Sequence, residues 1–232
     1  MRVIVLGAGV VGVASAWYLR AAGHEVRVID RQPAAGMETS FANGGQISVS
    51  HAEPWANPHA PLRALSWLGR EDAPLLFRLR WDPALLDCSL SFLCECTPRR
   101  TRDNIRNIVG LALYSRHQLQ SLRQELALDY DQLQRGILHI YTDRREFVAA
   151  QAAAALMRKY GCERRTIDAN ECVAIEPALS AIHPQLVGGD YTSGDESGDA
   201  HRFTQQLAAH CVIRGVRFHY EVPVDRLVLA GG

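Results

Sequence analysis

The feature that most constrains this fold is a glycine pattern that directly follows a short apolar strand. Residues 2–6 run Arg-Val-Ile-Val-Leu without polar alternation, which is typical of a parallel strand covered on both faces. The next run, Gly7-Ala8-Gly9-Val10-Val11-Gly12, matches GxGxxG. Residues 10–22 predict a helix that ends at Gly23, and residues 25–30 predict a second strand. This order predicts a βαβ unit of the kind that binds dinucleotides.

The glycines and the end of the second strand suit a dinucleotide for mechanical reasons. Gly7 permits the tight turn out of the strand, Gly9 lets the backbone approach a pyrophosphate, and Gly12 lets the helix pack against the strand. The free N–H groups at the helix N-terminus stabilise phosphate charge. Asp30 ends the second strand, where a carboxylate accepts hydrogen bonds from ribose hydroxyls and disfavours the extra phosphate of NADP. The alternative is a glycine-rich turn without a ligand.

Charge and cysteine content argue against several other classes. The chain has 232 residues, enough for one large domain or two small ones. It carries 25 basic and 25 acidic residues, so its charge balance gives no support to a nucleic-acid partner. Its 6 cysteines form no CxxC pair, which predicts reduced intracellular thiols and no metal site.

No segment of the sequence resembles a secretory leader or a membrane span. The apolar run after Met1 stops at Gly7, short of the roughly 7–15 apolar residues of a signal peptide. No later stretch approaches the roughly 18 apolar residues of a membrane helix. We therefore expect a cytoplasmic protein, with peripheral attachment to the inner membrane as the alternative.

After the βαβ unit, the sequence predicts a long insertion and then a return to the α/β pattern. Residues 31–62 are rich in glycine, proline and asparagine and predict a loop, whose length is uncommon unless the loop is functional. Short helices are predicted within 63–100, and an amphipathic helix over 102–127. The remaining predicted strands are 136–142, 186–191 and 216–220, and the remaining predicted helices are 144–160, 168–175 and 201–214. The predicted fold class is α/β, with an α+β region inserted into a Rossmann-like unit.

Several longer segments carry a more specific likeness. They are Asp30-Arg31 with Gly36, Glu38-Thr39-Ser40-Phe41-Ala42-Asn43-Gly44-Gly45-Gln46-Ile47-Ser48, Pro54-Trp55-Ala56, Leu111-Ala112-Leu113-Tyr114-Ser115, Glu176-Pro177-Ala178-Leu179, Asp195-Glu196-Ser197-Gly198-Asp199 and Pro223-Val224-Asp225. With them the chain resembles the FAD-dependent amine and amino-acid oxidoreductases of the D-amino-acid oxidase superfamily. Within that superfamily it is most similar to the small subunits of bacterial D-amino-acid dehydrogenases, and only to their N-terminal part.

The resemblance implies a domain organisation. Residues 1–62 would form the FAD-binding βαβ unit and its flavin loop, and residues 63–192 an inserted substrate region of helices and strands. Residues 193–232 would return to the FAD-binding domain, which stays incomplete because the C-terminal part of the family's fold is missing from this sequence.

The resemblance also implies the cofactor contacts. Gly7, Gly9 and Gly12 would approach the FAD pyrophosphate, Asp30 would hold the adenosine ribose with Arg31 beside it, and the backbone of Val224 would meet adenine. The stretch that would pass the pyrophosphate, the ribityl chain and the flavin comprises Thr39, Ser40, Asn43, Gly44, Gly45, Gln46 and Ile47. Val3, Ala8, Val10 and Val11 complete the expected cofactor set. A flexible polar loop is the alternative for residues 39–48.

The implied chemistry is oxidation of a D-amino acid to a 2-oxo acid and ammonia, with electrons passed to a membrane quinone or another acceptor. The sequence assigns no catalytic residue. Two alternatives stay open: an NAD-dependent Rossmann dehydrogenase, and a non-catalytic fragment or subunit of a complex.

Other polar groups have simpler explanations than a site. His51, His59 and His139 have no partner pattern and are expected to be surface or core residues. A metal site is one interpretation of the acidic cluster Asp195, Glu196 and Asp199. The glycines around the cluster favour a turn followed by a helix cap instead. The pairs Arg99-Arg100 and Arg144-Arg145 are expected at solvated helix ends, with a membrane contact near the tryptophan-rich residues 55–81 as the alternative.

Overall fold

A computed structural model describes residues 1–67, 70 and 82–228 of the chain. Its elements are, in chain order, β1 (Arg2–Leu6), α1 (Val10–Ala21), β2 (Glu25–Ile29), β3 (Gln46–Ile47), α2 (Ala60–Trp67), α3 (Pro83–Glu95), α4 (Pro98–Leu126), β4 (Ile137–Tyr141), α5 (Arg144–Arg158), β5 (Arg164–Ile167), α6 (Ala169–Ile175), β6 (Gly188–Thr192), β7 (Glu196–Ser197), α7 (Ala200–Ile213) and β8 (Arg217–His219). A 3₁₀ helix covers Pro177–Gln185. The chain divides into two compact units: the first comprises residues 1–47, 117–136 and 195–232, and the second comprises 48–116 and 137–194.

The first unit is built on a parallel sheet in the order β1-β2-β8. In the central strand, Val28 lies opposite Val5 of β1 and Phe218 of β8. Val26 and Val28 are buried in a core to which α1 and α7 contribute Val13 and Leu207. Because parallel strands end at the same edge of a sheet, the residues that follow β1 and β2 are neighbours.

The second unit is built on an antiparallel sheet in the order β4-β6-β5. Asp143 caps α5 by accepting hydrogen bonds from the backbone N–H groups of Arg145 and Glu146. One apolar cluster includes Ile105, Val109 and Met157, and a second surrounds Cys172 between β5, α6 and β6. Within the described residues, no helix is both long and apolar enough to cross a membrane.

A buried charged pair joins the strands of the second unit. The guanidinium of Arg164 donates to Asp190 Oδ2 at 2.9 Å and to the hydroxyl oxygen of Tyr141 at 2.9 Å. Thr166 donates to the other carboxylate oxygen of Asp190 at 2.8 Å. The side chain of Asp190, in β6, is fully buried. Its charge is tolerated because Arg164 and Thr166 of β5 and the hydroxyl of Tyr141 of β4 donate hydrogen bonds to it.

Most predicted elements are present, with shifted ends. The two strands and the helix of the βαβ unit are confirmed, as are the predicted strands and helices from residue 136 onward. α4 starts at Pro98, ahead of the predicted start, because Pro98 suits the first helical turn and Thr97 accepts a hydrogen bond from the N–H of Arg100.

Four elements were not predicted. The predicted loop 31–62 contains β3 and the start of α2, and β5, β7 and the 3₁₀ helix appear where no element was expected. β5 reads Arg-Arg-Thr-Ile, which carries no strand alternation, and it forms because β6 pairs with it and Asp190 neutralises Arg164. The part of the predicted helical stretch that covers 68–69 and 71–81 lies outside the described residues, as do residues 229–232.

The compact units divide the chain at other points than the boundaries expected after residues 62 and 192. Residues 48–62 group with the second unit because Val49 and Ala52 pack in the cluster of Ile105. Residues 117–136 group with the first unit because Leu122 and Tyr130 pack in its core.

The buried thiol of Cys211 gives the first unit a measurable pH dependence. Burial raises the pKa of Cys211 from 9.0 to about 11. In the unfolded chain the thiol ionises from 9.0 upward, so the stability that the protonated thiol contributes is complete below pH 9 and is lost as the pH rises through about 11.

We therefore expect Cys211→Ala to reduce the loss of stability in alkali. Between about pH 8 and about pH 11, the wild-type free energy of unfolding should fall by roughly 2–3 kcal/mol more than that of the variant. Urea unfolding followed by circular dichroism measures both, and the buried tyrosines, which the two proteins share, cancel in the comparison. Equal falls would contradict the assignment.

Candidate functional site

The glycine loop between β1 and α1 has a different need for glycine at each position. A Cβ on Gly12 would lie 2.0 Å from the carbonyl oxygen of Gly7, so the approach of helix and loop excludes any side chain there. A Cβ on Gly9 would meet only Ser40 Oγ, at an ordinary 3.5 Å. Gly9 has φ −71°, which any residue adopts. Packing among the described residues thus requires glycine at 12 but not at 9, and the space over Gly9 is left for a ligand.

Asp30 connects this loop to the rest of the sheet edge. Its Oδ2 accepts a hydrogen bond from the N–H of Ala8 at 2.5 Å, and its Oδ1 accepts one from the N–H of Gln32 at 2.7 Å. Its backbone N–H donates to the carbonyl of His219, and its carbonyl accepts from Val222. A carboxylate offers about four lone-pair positions, so capacity remains for hydroxyl groups of a ligand.

A cavity of about 210 Å³ opens beside Asp30 at the carboxyl ends of β1 and β2. Its lining comprises Leu6, Gly7, Ile29, Asp30, Arg31, Glu38, Val222 and Val224. Arg31 forms an ion pair with Glu38 at 2.7 Å, and Gln32 donates to the same carboxylate at 2.8 Å. Hydrogen bonds from Arg31 and then Gln32 lower the pKa of Glu38, so the rim of the cavity stays ionised. The cavity combines an apolar floor with charged groups on one side.

The N-terminus of α1 meets the predicted loop at Ser40. The buried Ser40 Oγ accepts a hydrogen bond from the N–H of Val10 at 3.0 Å. A hydroxyl that accepts can also donate, so Ser40 can present a proton to an anion at this helix end.

Asn43–Ile47 form a turn that leads into the short strand β3. Asn43 Oδ1 accepts from the N–H of Gly45 at 2.8 Å, and β3 pairs antiparallel with β7. Gln46 is exposed, whereas Ile47 packs against the core of the first unit. The segment therefore offers backbone and a polar side chain on its outer face.

The structure brings together most of the residues that the sequence predicts. Gly7, Asp30, Arg31 and Val224 share the 210 Å³ cavity, while Gly9, Val10 and Ser40 meet at the helix end. Ala8 is buried behind the loop, Val11 is exposed on α1, and Gly44, Gly45, Gln46 and Ile47 lie on the β3 segment.

Two predicted residues stand apart from this arrangement. Val3 lies near the start of β1, four residues before Gly7, and each strand residue adds roughly 3.3 Å to their separation. Val3 lines a separate cavity with Glu25 and Arg27. The Thr39 side chain is exposed, and the residue that meets the helix end is its neighbour Ser40.

Three residues join the site without a role having been predicted for them. Glu38 and Val222 line the cavity; Glu38 lies in a segment that carries the family resemblance but was given no role there. Nε2 of His201 is buried and has no hydrogen-bond partner within the described part of the chain. The ring of His201 lies edge-on to Phe41 with ring centroids 4.9 Å apart. A buried polar atom of this kind needs a partner, which a ligand's polar group would supply.

The groups set aside from the sequence have structural partners. Asp199 caps α7 by accepting from the N–H of Arg202, and Glu196 pairs with Arg123. The rings of His51 and His139 are stacked 6.2 Å apart, and His139 lies 3.3 Å from Ser50 Oγ. Among the residues that the structure describes, no three His, Cys, Asp or Glu side chains are grouped to hold a metal ion.

Comparison with known proteins gives a family match over nearly the whole chain. The family model described as "FAD dependent oxidoreductase" matches residues 2–232. The D-amino acid dehydrogenase of Dechloromonas aromatica is 64% identical over 231 residues, covering 100% of this chain and 55% of that protein. The enzyme of the same name from Paramagnetospirillum magneticum is 56% identical, also over 100% of this chain and 55% of that protein. The chain spans about half the length of the curated relatives it matches.

Solved structures share the fold at low identity. L-proline dehydrogenase from P. horikoshii superposes with a TM-score of 0.69 at 18% identity, over 98% of this chain and 46% of that one. Glycine oxidase from Geobacillus kaustophilus superposes with a TM-score of 0.64 at 19% identity, over 95% and 47%.

The unequal need for glycine at positions 9 and 12 predicts opposite phenotypes for two alanine variants. Gly9→Ala should keep the wild-type melting temperature but weaken FAD binding at least about tenfold, because the added methyl group would enter the space where the sequence predicts the pyrophosphate. Gly12→Ala should lower stability by roughly 1–3 kcal/mol through overpacking.

Calorimetric melting and FAD titration of both purified variants measure the two effects. A Gly9→Ala chain that binds FAD as tightly as wild type would show that no phosphate lies over this residue.

Proposed function

The chain belongs to the FAD dependent oxidoreductase family, and from this premise we propose that its first unit binds FAD and that the protein oxidises D-amino acids. The observation that carries the proposal is the shared cavity of Gly7, Asp30, Arg31 and Val224. The family resemblance implies Gly7 at the FAD pyrophosphate and the other three residues at the adenosine end. The relatives named D-amino acid dehydrogenase support the substrate class. The NAD-dependent alternative has no comparable support.

The residues of the first unit fit FAD. Asp30 would accept from the adenosine ribose, and the α1 N-terminus with Gly9 and Ser40 would hold the pyrophosphate. Gly44 and Gly45 would let the backbone of the β3 segment approach the flavin end, and the open space around Gly44 agrees with this role. Nε2 of His201, which lacks a hydrogen-bond partner among the described residues, offers a further polar contact.

The chemistry that FAD supplies when bound is removal of a hydride from the substrate α-carbon, which leaves an imino acid that water hydrolyses to a 2-oxo acid and ammonia. The chain's own residues would orient the cofactor and offset its charge. Asp30 fixes the glycine loop through the N–H of Ala8, and the dipole and free N–H groups of the α1 N-terminus would offset the phosphate charge. We propose that electrons then pass to a quinone or another acceptor.

We further propose that the second unit supplies the substrate region. Support comes from a cavity of about 400 Å³ within that unit, whose lining includes Glu53, Arg63 and the hydroxyl-bearing Tyr141. A carboxylate and a guanidinium are the groups that complement the ammonium and the carboxylate of an amino acid.

Anaerobic spectroscopy of the purified chain with FAD tests the function. We expect bound flavin whose visible absorbance is bleached by D-alanine and not by L-alanine. Binding of NAD without FAD would overturn the proposal in favour of a nicotinamide enzyme. A chain that holds FAD but is bleached by no D-amino acid would be a non-catalytic fragment or subunit.

We also propose that the protein contacts the inner membrane peripherally through α2 and α3. Neither helix has a buried residue, and Leu62, Leu65 and Leu90 are each at least 64% exposed. The basic pair Arg99-Arg100 follows α3 and is exposed, which suits anionic headgroups.

Co-sedimentation with anionic lipid vesicles tests this contact. The wild-type chain should sediment with the vesicles, and a Leu62→Gln, Leu90→Gln double variant should lose most of that binding. Leu111→Gln is the matched control, because Leu111 is an equally exposed leucine on α4. Wild-type protein that stays in the supernatant would rule the contact out.

A further inference from the structure

We propose that the buried ion pair between Arg123 and Glu196 is a positioning element for the β3 segment Gly45–Ile47, and through it for the flavin end of the cofactor. The inference rests on the proposed FAD binding for its consequence, but not for its geometry. Nothing in the glycine loop or in the cavity beside Asp30 involves this pair.

Besides the Asn43 turn and the packing of Ile47 against the core, the β3 segment is held by a very short ladder with β7. β3 and β7 contain two residues each, with Gln46 opposite Ser197 and Ile47 opposite Glu196. So short a ladder is not independently stable. Its position depends on what fixes β7.

Glu196 fixes β7 from its side chain. Arg123 Nη1 donates to Glu196 Oε2 at 2.5 Å, and Gln120 donates to Glu196 Oε1 at 2.6 Å. The side chains of Arg123 and Glu196 are only 10% and 4% exposed. Removing one partner would leave a buried charge without its counter-charge, so the pair strongly favours a single position of β7.

Arg123 also holds Tyr130, whose ring contacts Gly198 at the end of β7. The same Nη1 donates to the hydroxyl oxygen of Tyr130 at 3.1 Å. The ring of Tyr130 lies so close to Gly198 that a Cβ there would be 2.5 Å from the ring. The guanidinium of Arg123 therefore holds both Glu196, at the start of β7, and the ring of Tyr130, which packs against Gly198 just after β7.

Gly198 directly contacts the β3 segment at Gly45. Its N–H donates to the carbonyl of Gly45 at 2.8 Å, and a Cβ on Gly45 would lie 1.9 Å from the carbonyl oxygen of Gly198. Gly45 has φ +64°, a conformation that favours glycine. The two backbones approach so closely here that only glycine fits at position 45, and the hydrogen bond ties the place of Gly45 to that of Gly198.

Two variants separate positioning from stability. Glu196→Gln leaves the guanidinium of Arg123 buried without its counter-charge and should loosen β7. An Arg123→Met, Glu196→Leu double variant replaces the pair with apolar groups of similar size, which is often neutral or stabilising. The matched control is Glu125→Gln, which breaks the exposed pair of Glu125 with Arg214.

The first measurement needs no cofactor. Hydrogen exchange at the amide of Gly198 should be at least about tenfold faster in Glu196→Gln than in wild type, while amides of β1 and β2 and the Glu125→Gln control stay unchanged. Equal exchange at Gly198 would overturn the positioning role even if the chain binds no FAD. Failure of wild-type FAD binding alone would remove the proposed function and leave this result standing.

The second measurement addresses the flavin. In the double variant we expect a melting temperature near that of wild type, but an altered visible circular dichroism spectrum of bound flavin and an FAD affinity at least about tenfold weaker. Arg123→Lys, which keeps a positive charge beside Glu196, should retain more of the wild-type FAD affinity than the double variant does. A stable double variant with wild-type flavin spectrum and affinity would show that the pair is only structural, and the proposal would fall.

Discussion

The hydrogen bonds of Asp30 tie together three segments that are far apart in sequence. The carboxylate holds the N–H of Ala8 in the glycine loop, and the backbone of the same residue bonds to His219 and Val222 around the end of β8. Asp30 thus joins the glycine loop to the end of the sheet, and it lines the cavity that opens there. A carboxylate suits the position because it accepts several backbone N–H groups and still has lone pairs for a ribose.

Local sequence patterns predicted the part of the site that is made locally. The turn at Gly7, the start of α1 and the acidic end of β2 depend on residues within one βαβ unit, and each has a short-range physical cause. The same holds for helices with good caps, such as α5 after Asp143. Longer resemblance added Ser40 and the β3 segment, which no periodicity would have found.

Features made by distant pairing could not be predicted in the same way. β5 is a strand because β6 neutralises and pairs with Arg164, and β3 is a strand because β7 lies beside it. Glu38 lines the cavity because Arg31 and Gln32 turn its carboxylate toward them. In each case the decisive partner is remote or lies across a turn, so composition and spacing carry no trace of it. The domain boundaries differ for the same reason, since Tyr130 joins a core whose other members lie at both ends of the chain.

The pairing of Arg27 with Arg217 has a consequence for the order of events on the ribosome. The first strand of the parallel sheet leaves the exit tunnel well before the third, so this sheet stays incomplete until β8 has been made. The antiparallel sheet of β4, β5 and β6 draws on a much shorter span, so its loop-closure entropy is smaller and its strands are complete sooner. The parallel sheet is therefore completed after the antiparallel sheet, and the apolar β1 and α1 must wait as nascent chain until β8 has been made.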